Sequence, residues 1–252
     1  QSFKPTIEFE DLTYNFVTNF EKFLYESVYQ TNTVAKHMKH LKSFVNAAIN
    51  KGYIDPNNYA FRRYKIKMKE GKHVFLLPEE MKKLEEVSLT GRNSCLEHTL
   101  DAFLFCCYTG LRYSDFVNLN EKNIVKMDGK LWLIFDSVKT GTEVKLPLNL
   151  LFEGKALTLL QKYQGKWSSF FSIKNNSSVN KELIRIGKLA KISKHFSFHS
   201  ARHTNATLLI YKGANITTVQ KLLGHKNLAT TQIYGEVMGS TIIRDLKKCQ
   251  KR

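Results

Sequence analysis

The sequence predicts two mainly α-helical domains, with one small antiparallel β-sheet in the second. Three observations predict this fold class. Apolar residues recur at helical spacing along most of the 252-residue chain, residues 130–148 instead alternate apolar and polar side chains, and a charged segment over residues 62–73 separates a short N-terminal part from the rest. The length and the 42% hydrophobic content suffice for two cores.

The N-terminal part, residues 1–70, is expected to be a small helical bundle. Helical spacing predicts helices over residues 9–29 and 31–51, the second of which ends at a Lys-Gly pair. A turn with the sequence Asp-Pro-Asn-Asn follows at residues 55–58. We expect a linker over residues 62–73, because charged residues and a glycine replace the apolar pattern there.

Residues 71–252 are expected to form the second domain. A proline and two glutamates after Leu77 start a helix, and an apolar run that stops at Gly110 predicts a buried one. Residues 130–148 are rich in β-formers around Lys-Thr-Gly-Thr and predict a β-hairpin. A short helix leads into Tyr234, and the other predicted helices cover residues 150–163, 180–192, 200–212 and 215–223.

The charge balance predicts a polyanionic partner. Lys and Arg number 39 against 22 Asp and Glu, which gives a net charge of +17. No stretch approaches twenty apolar residues and no signal segment opens the chain, so we expect no membrane partner. The four cysteines lack C-x-x-C spacing, as is usual in a reducing cytoplasm. The chain begins without methionine, so we expect it to be a fragment.

Seven basic residues of the N-terminal domain are candidates for contact with DNA phosphates. The alternative for any one of them is a solvated surface charge. They are Lys36, Lys39, Lys42, Arg62, Arg63, Lys65 and Lys67.

Six residues of the second domain carry the groups that metal-free phosphoryl transfer requires. Arginines and a histidine neutralise a pentacoordinate phosphorane, a lysine donates the leaving-group proton, and a tyrosine attacks. Each has a structural alternative: an arginine could pair with Asp115, and the tyrosine could be a core aromatic. The candidates are Arg112, Lys139, His199, Arg202, His225 and Tyr234.

Five motifs in this order resemble those of the tyrosine recombinases, the lambda-integrase-like DNA recombinases. They are TGLRYSD, KTGTEVKLPL, HSARHTNAT, LLGHKN and TTQIY. The resemblance to the catalytic domain covers residues 75–252, and residues 9–61 resemble the SAM-like helical core-binding domain. The sequence TVAKHMKHLKSFVNAAINKGYI further resembles integrases of conjugative and mobilisable transposons. Departures are mild: Asp115 stands where glutamate is usual, and Ser200-Ala201 replace Asp-Leu.

The resemblance implies a C-shaped clamp that encloses double-stranded DNA. Tyr234 would form a 3′-phosphotyrosyl link, and strand exchange through a Holliday junction would integrate or excise a mobile element. Arg112, Arg202 and His225 would hold the phosphate, Lys139 would be the general acid, and His199 a base or phosphate hydrogen-bonder. Asp115 would support this shell.

The resemblance also sets expectations for cofactors and partners. It implies no metal, ATP or other cofactor. It implies a homotetramer on synapsed DNA, a tail over residues 236–252 that docks on a neighbouring protomer, and an accessory DNA-bending protein as a further possible partner. We expect a bacterial, cytoplasmic, nucleoid-associated protein.

The residues also permit four other interpretations. A type IB topoisomerase would use the same tyrosine chemistry, and a non-enzymatic DNA-binding protein would need only the charge and a helical fold. A zinc site of His195, His199 and His203 would need one continuous helix, whereas residues 196–198 resemble an extended approach to a helix that begins near Ser200. The KTG and SVNK sequences occur in the reverse order for a penicillin-binding enzyme.

Overall fold

The computed structural model describes residues 3–71 and 73–235. The chain divides into two compact units between Lys72 and His73, two residues after the boundary expected from the sequence. The predicted fold class, mainly α with one small antiparallel sheet, is confirmed. The tail expected to dock on a neighbouring protomer, residues 236–252, lies outside the described residues.

The first unit is built on two helices, α1 (Tyr14–Glu26) and α2 (Thr31–Asn50). Their inward faces bury Val17 and Met38 in a common core. The prediction of a helix from residue 9 was wrong at its start. Thr13 caps α1 by accepting a hydrogen bond from the backbone of Phe16, and only a short 3₁₀ turn precedes it.

The predicted linker is largely held on the first unit. Residues 62–71 contain no helix or strand, yet Tyr64 and Ile66 pack against the first core. The Asn32 side chain exchanges two hydrogen bonds of 2.9 Å with the backbone of Lys69. Side chains alternate between inward and outward positions around Tyr64 and Ile66, and Arg63, Lys65 and Lys67 are among the basic residues that are exposed.

The second unit packs its helices around one that is buried on all sides. This helix is α4, in which every residue from Thr99 to Thr109 is buried, as is typical of a helix at the centre of a domain. Helices α6, α8 and α9 pack directly against it. The helices of this unit are α3 (Pro78–Glu85), α4 (Glu97–Thr109), α5 (Tyr113–Val117), α6 (Lys155–Lys162), α7 (Trp167–Phe171), α8 (Asn176–Leu189), α9 (Ser200–Tyr211), α10 (Ile216–Leu223) and α11 (Ala229–Gln232).

The sheet is antiparallel with the order β1-β2-β3. The predicted hairpin corresponds to β2 and β3, whose facing pair of Leu133 and Leu146 is buried in the main core. The sequence did not predict β1, which has only four residues and pairs with β2 across a tight turn. The strands are β1 (Ile124–Met127), β2 (Lys130–Asp136) and β3 (Glu143–Pro147).

Two glycines end helices at points where the backbone passes very close to other elements. Gly110 ends α4 with a φ of 75°, and a Cβ built on it would lie 2.6 Å from Leu223 Cδ2 and 2.8 Å from Asn205 Oδ1. Gly224 ends α10 with a φ of 62°, and its Cβ would lie 2.7 Å from Val144 Cγ2. The ends of α4 and α10 therefore require glycine both for conformation and for space.

We expect Gly110→Ala to lower the free energy of unfolding by about 3 kcal/mol, since left-handed backbone strain and overpacking each cost roughly 1–2 kcal/mol. Gly129 is the matched control, with a φ of 72° and no atom within 4 Å of its Cβ position. Gly129→Ala should lose only the strain, about 1 kcal/mol. Urea unfolding of both variants measures the difference, and equal losses would contradict a steric role for Gly110.

Candidate active site

Arg202 is buried at the junction of three helices. It lies on α9 with 3% of its surface exposed. Its guanidinium donates hydrogen bonds to the carbonyl oxygens of Gly110, at 2.7 Å, and Leu223, at 2.5 Å. These carbonyls end α4 and α10, where the helix dipoles are negative. The hydrogen bonds and the dipoles therefore stabilise the buried positive charge of Arg202. Burial, and next the charge of Arg112, lower the pKa of Arg202 to about 10, which leaves it charged at neutral pH.

Arg112 is positioned by a small polar network under the β2–β3 turn. Its guanidinium donates to Ser137 Oγ at 2.9 Å and lies 3.5 Å from the buried carboxylate of Asp115. Asp115 also accepts hydrogen bonds from Ser137 Oγ and, at 2.9 Å, from the backbone N–H of Val138. The carboxylate therefore fixes both the arginine and the start of the turn.

Lys139 occupies that turn and is exposed. The residue before it is anchored by Asp115, and the hydroxyl of Thr140 after it contacts the carbonyl oxygen of Gly224 at 3.4 Å. The base of the turn is fixed while the lysine side chain extends into solvent. Its charge is one of those that lower the pKa of His199.

His225 follows the glycine that ends α10 and is half-buried. Its Nδ1 lies 2.8 Å from Thr231 Oγ1, and its backbone N–H donates to the carbonyl of Gln220 at 3.1 Å. Burial, and then the charges of Arg202 and Arg112, lower the pKa of His225 to about 3. The ring is therefore neutral at pH 7, and its Nδ1 contact fixes its orientation.

His199 immediately precedes α9 and is exposed, with its ring centroid 4.7 Å from that of His203. Desolvation, and then the charges of Arg202 and Arg112, lower its pKa.

Among the described residues, no group of three His, Cys, Asp or Glu side chains has an arrangement suited to a metal ion.

Tyr234 combines a buried ring with a polar contact at its hydroxyl. Its ring, 5% exposed, packs in a small cluster with Ala206, Val219 and Leu223. Its Oη lies 2.8 Å from His203 Nδ1. Burial raises the pKa of Tyr234, while the charges of Arg202 and Arg112 act in the opposite direction. The ring therefore belongs to an apolar cluster, and the hydroxyl to a polar contact.

The six sequence-derived candidates all lie in the second unit, around the ends of α4, α9 and α10. Sequence reasoning did not assign roles to Ser137, Thr231 and His203, which contact Arg112, His225 and Tyr234 respectively. His203 was nevertheless visible, because it follows Arg202 directly in the HSARHTNAT motif.

The seven basic candidates lie in the first unit. Lys36 and Lys39 are exposed on α2, and Lys42 is half-buried there. Arg62 is exposed and donates to the carbonyl of Pro56 at 3.1 Å. The structure thus presents most of these charges to solvent.

Across the described ranges, no helix is long and apolar enough to cross a bilayer.

A helical unit followed by an α+β unit with this cluster of basic and hydroxyl groups is the arrangement expected of an integrase-type fold. Residues 74–239 match the model of the phage integrase family, and residues 1–67 match the phage integrase SAM-like domain. The chain therefore belongs to the phage integrase family. It is a tyrosine recombinase, an enzyme of site-specific recombination.

Similar proteins include tyrosine recombinases XerC of two bacteria. That of Oceanobacillus iheyensis is 30% identical over 241 residues, which cover 90% of this chain and 77% of the relative. That of Bacillus licheniformis is 29% identical over 251 residues, with 91% and 78% covered.

Solved structures share the fold. A lambda integrase dimer bound to a COC′ core site superposes with a TM-score of 0.72 at 19% identity, covering 94% of this chain and 84% of that one. The Tn1549 transposon integrase in complex with circular intermediate DNA gives a TM-score of 0.67 at 18% identity, with 98% and 86% covered.

The lowered pKa values of two histidines predict that the protein becomes less stable as the pH falls. Those of His203 and His225 are lowered from 6.5 to about 4 and about 3. Between pH 6.5 and 5 the unfolded chain therefore binds protons that the folded chain does not, so the free energy of unfolding should decrease as pH falls. Urea unfolding at pH 7, 6 and 5 measures this slope.

A double variant, His203→Gln with His225→Gln, should flatten that slope. The control replaces two exposed histidines, His40 and His195, with glutamine and should leave the slope unchanged. Equal slopes in the two double variants would show that the buried rings do not cause the acid sensitivity.

Proposed function

We propose that the protein exchanges DNA strands with Tyr234 as the nucleophile. The observation that carries this proposal is the position of the Tyr234 hydroxyl, which is held at 2.8 Å by a histidine within the electrostatic field of Arg112 and Arg202. A core tyrosine has no need of two nearby guanidinium groups, whereas a tyrosine that attacks a phosphodiester does.

The two arginines and His225 would bind the non-bridging oxygens of the scissile phosphate. Arg202 is fixed by two carbonyl groups and Arg112 by Asp115 and Ser137, so both are preorganised before DNA binds. The neutral ring of His225 would donate a hydrogen bond to the phosphate.

Attack of Tyr234 Oη forms a P–O bond and breaks the bond from phosphorus to the 5′-oxygen. Lys139, at the tip of a turn with an anchored base, would protonate that oxygen. The product is a 3′-phosphotyrosyl ester and a 5′-hydroxyl. Attack of a 5′-hydroxyl from a partner duplex reverses these steps, so the ester conserves the bond energy. His199, exposed beside the arginines, would bind the phosphate.

The partner is double-stranded DNA, for which the net charge of +17 provides long-range attraction. The similarity of α2 to integrases of conjugative transposons supports the ends of a mobile element as substrate.

Exchange of four strands requires four protomers, so we extend the proposal to a homotetramer on synapsed DNA. In this assembly, residues 236–252 would dock on a neighbour and an accessory protein would bend the DNA. The site of action would be the bacterial nucleoid.

We expect Tyr234→Phe to bind DNA normally and to form no covalent adduct, because it lacks only the attacking oxygen. Nicked suicide DNA from the ends of the genetic element, followed by denaturing gels, measures the adduct. The control is Tyr163→Phe, which removes another hydrogen-bonded hydroxyl of the same unit, that bound to Asp101 at 2.7 Å. An adduct with Tyr234→Phe would refute the assignment, and relaxation of supercoils lacking the site would favour a type IB topoisomerase.

The exposed side chains of Arg63, Lys65 and Lys67 are expected to contact phosphates. Replacing all three with glutamine should weaken binding to all DNA sequences and reduce the slope of log affinity against log salt by about 2.7, since each phosphate contact contributes about 0.9. A fluorescence anisotropy titration over salt measures this slope.

The control triple variant removes the same charge from exposed lysines of the second unit, Lys166, Lys181 and Lys188. It should change the slope by less than half as much. Equal changes would mean that net charge, not contact, accounts for the effect.

A further inference from the structure

His203 makes the polar contact to the proposed nucleophile. Its Nδ1 lies 2.8 Å from Tyr234 Oη, and the two ring centroids are 5.6 Å apart. His203 lies on α9 directly after Arg202, whose guanidinium is fixed by two helix ends. The imidazole therefore lies on α9 beside a residue that is held by two hydrogen bonds, while Tyr234 lies after the short helix α11.

His199, expected from the sequence to be a base or a phosphate hydrogen-bonder, does not have this contact with the Tyr234 hydroxyl. Among the described residues, His203 is the hydrogen-bond partner of the Tyr234 hydroxyl. His199 instead contacts His203 edge-on, with centroids 4.7 Å apart, and is exposed. A general base must lie within hydrogen-bond distance of the proton it removes, and His203 meets this condition.

We propose that His203 is a catalytic residue that accepts the phenolic proton of Tyr234 as its oxygen attacks phosphorus. This inference rests on the proposed function. The P–Oη bond forms, the bond to the 5′-oxygen breaks with a proton from Lys139, and the Tyr234 proton moves to His203 Nδ1. In the rejoining step the same proton returns to Tyr234 as the incoming 5′-hydroxyl displaces it.

The surroundings keep His203 neutral before DNA binds. Burial, followed by the charges of His199, His73 and Arg202, lowers its pKa to about 4. A neutral ring that carries its proton on Nε2 presents a lone pair on Nδ1 to the phenol. A bound phosphodiester would place a negative charge beside the Arg202 guanidinium and so raise the basicity of the His203 ring when the proton must move.

A second histidine, His73, supports this arrangement. Its ring centroid is 4.8 Å from that of His203 and 6.3 Å from that of Tyr234. His199 is the other neighbour, so the His203 ring contacts two imidazoles as well as the Tyr234 hydroxyl.

The test compares His203→Asn and His203→Ala with wild type in single-turnover adduct formation on nicked suicide DNA. The asparagine oxygen can accept the hydrogen bond near the Nδ1 position but cannot take the proton. We expect both variants to bind DNA with wild-type affinity and to form the adduct about 100-fold more slowly or worse, the usual contribution of a general base. The exposed His195 supplies the control, since His195→Asn should react at the wild-type rate.

Two substitutions in the reactants separate proton transfer from simple positioning. A 5′-bridging phosphorothiolate supplies a sulfur leaving group that needs no protonation, so it should relieve Lys139→Ala and leave the His203 variants slow. Fluorinated tyrosine at position 234 has a lower phenol pKa, so it should accelerate His203→Ala by a larger factor than wild type.

The outcomes are distinguishable. A wild-type rate for His203→Asn, relief of its defect by the phosphorothiolate, or no selective acceleration by fluorination would overturn the role of His203. Absence of an adduct at Tyr234 in the wild-type protein would instead overturn the proposed function on which this role rests.

Discussion

The buried guanidinium of Arg202 is the interaction on which the rest of the site depends. It joins the carbonyl ends of α4 and α10 to α9, and a cation can be buried there because two helix ends supply hydrogen bonds and negative dipoles. The close approach of these ends leaves no room for a Cβ at Gly110. The approach of the two helix ends, the glycine at position 110 and the position of the Arg202 charge therefore depend on one another.

The other half of the site depends on a different interaction. The Asp115 carboxylate binds Arg112, Ser137 and the backbone at Val138, so it connects α5 to the β2–β3 turn. Both arginines are fixed before any ligand arrives, whereas Lys139 extends from a fixed turn on a flexible side chain. This division would suit the proposed chemistry, in which the phosphate must be oriented while the leaving oxygen moves during the reaction.

Sequence reasoning succeeded where a pattern extends over many residues. Helices α2 and α4 and the β2–β3 hairpin each contain enough residues to establish a period, whereas β1 and α7, with four and five residues, do not. The candidate residues stood out because their functional groups recur at motif spacing. The contact of His203 with Tyr234 could not be found this way, since it joins residues 31 positions apart through the packing of Tyr234 against α9 and α10.

Tyr234 both packs through its ring and forms a hydrogen bond through its hydroxyl. The apolar cluster around its ring, with Val219 and Leu223, fixes the direction of the hydroxyl and also raises its pKa, which makes the free phenol a poor nucleophile. Packing therefore orients the Tyr234 hydroxyl but raises its pKa. The charges of Arg112 and Arg202 offset part of that rise. In the proposed mechanism, the neutral acceptor beside the hydroxyl would take the phenolic proton as the oxygen attacks phosphorus.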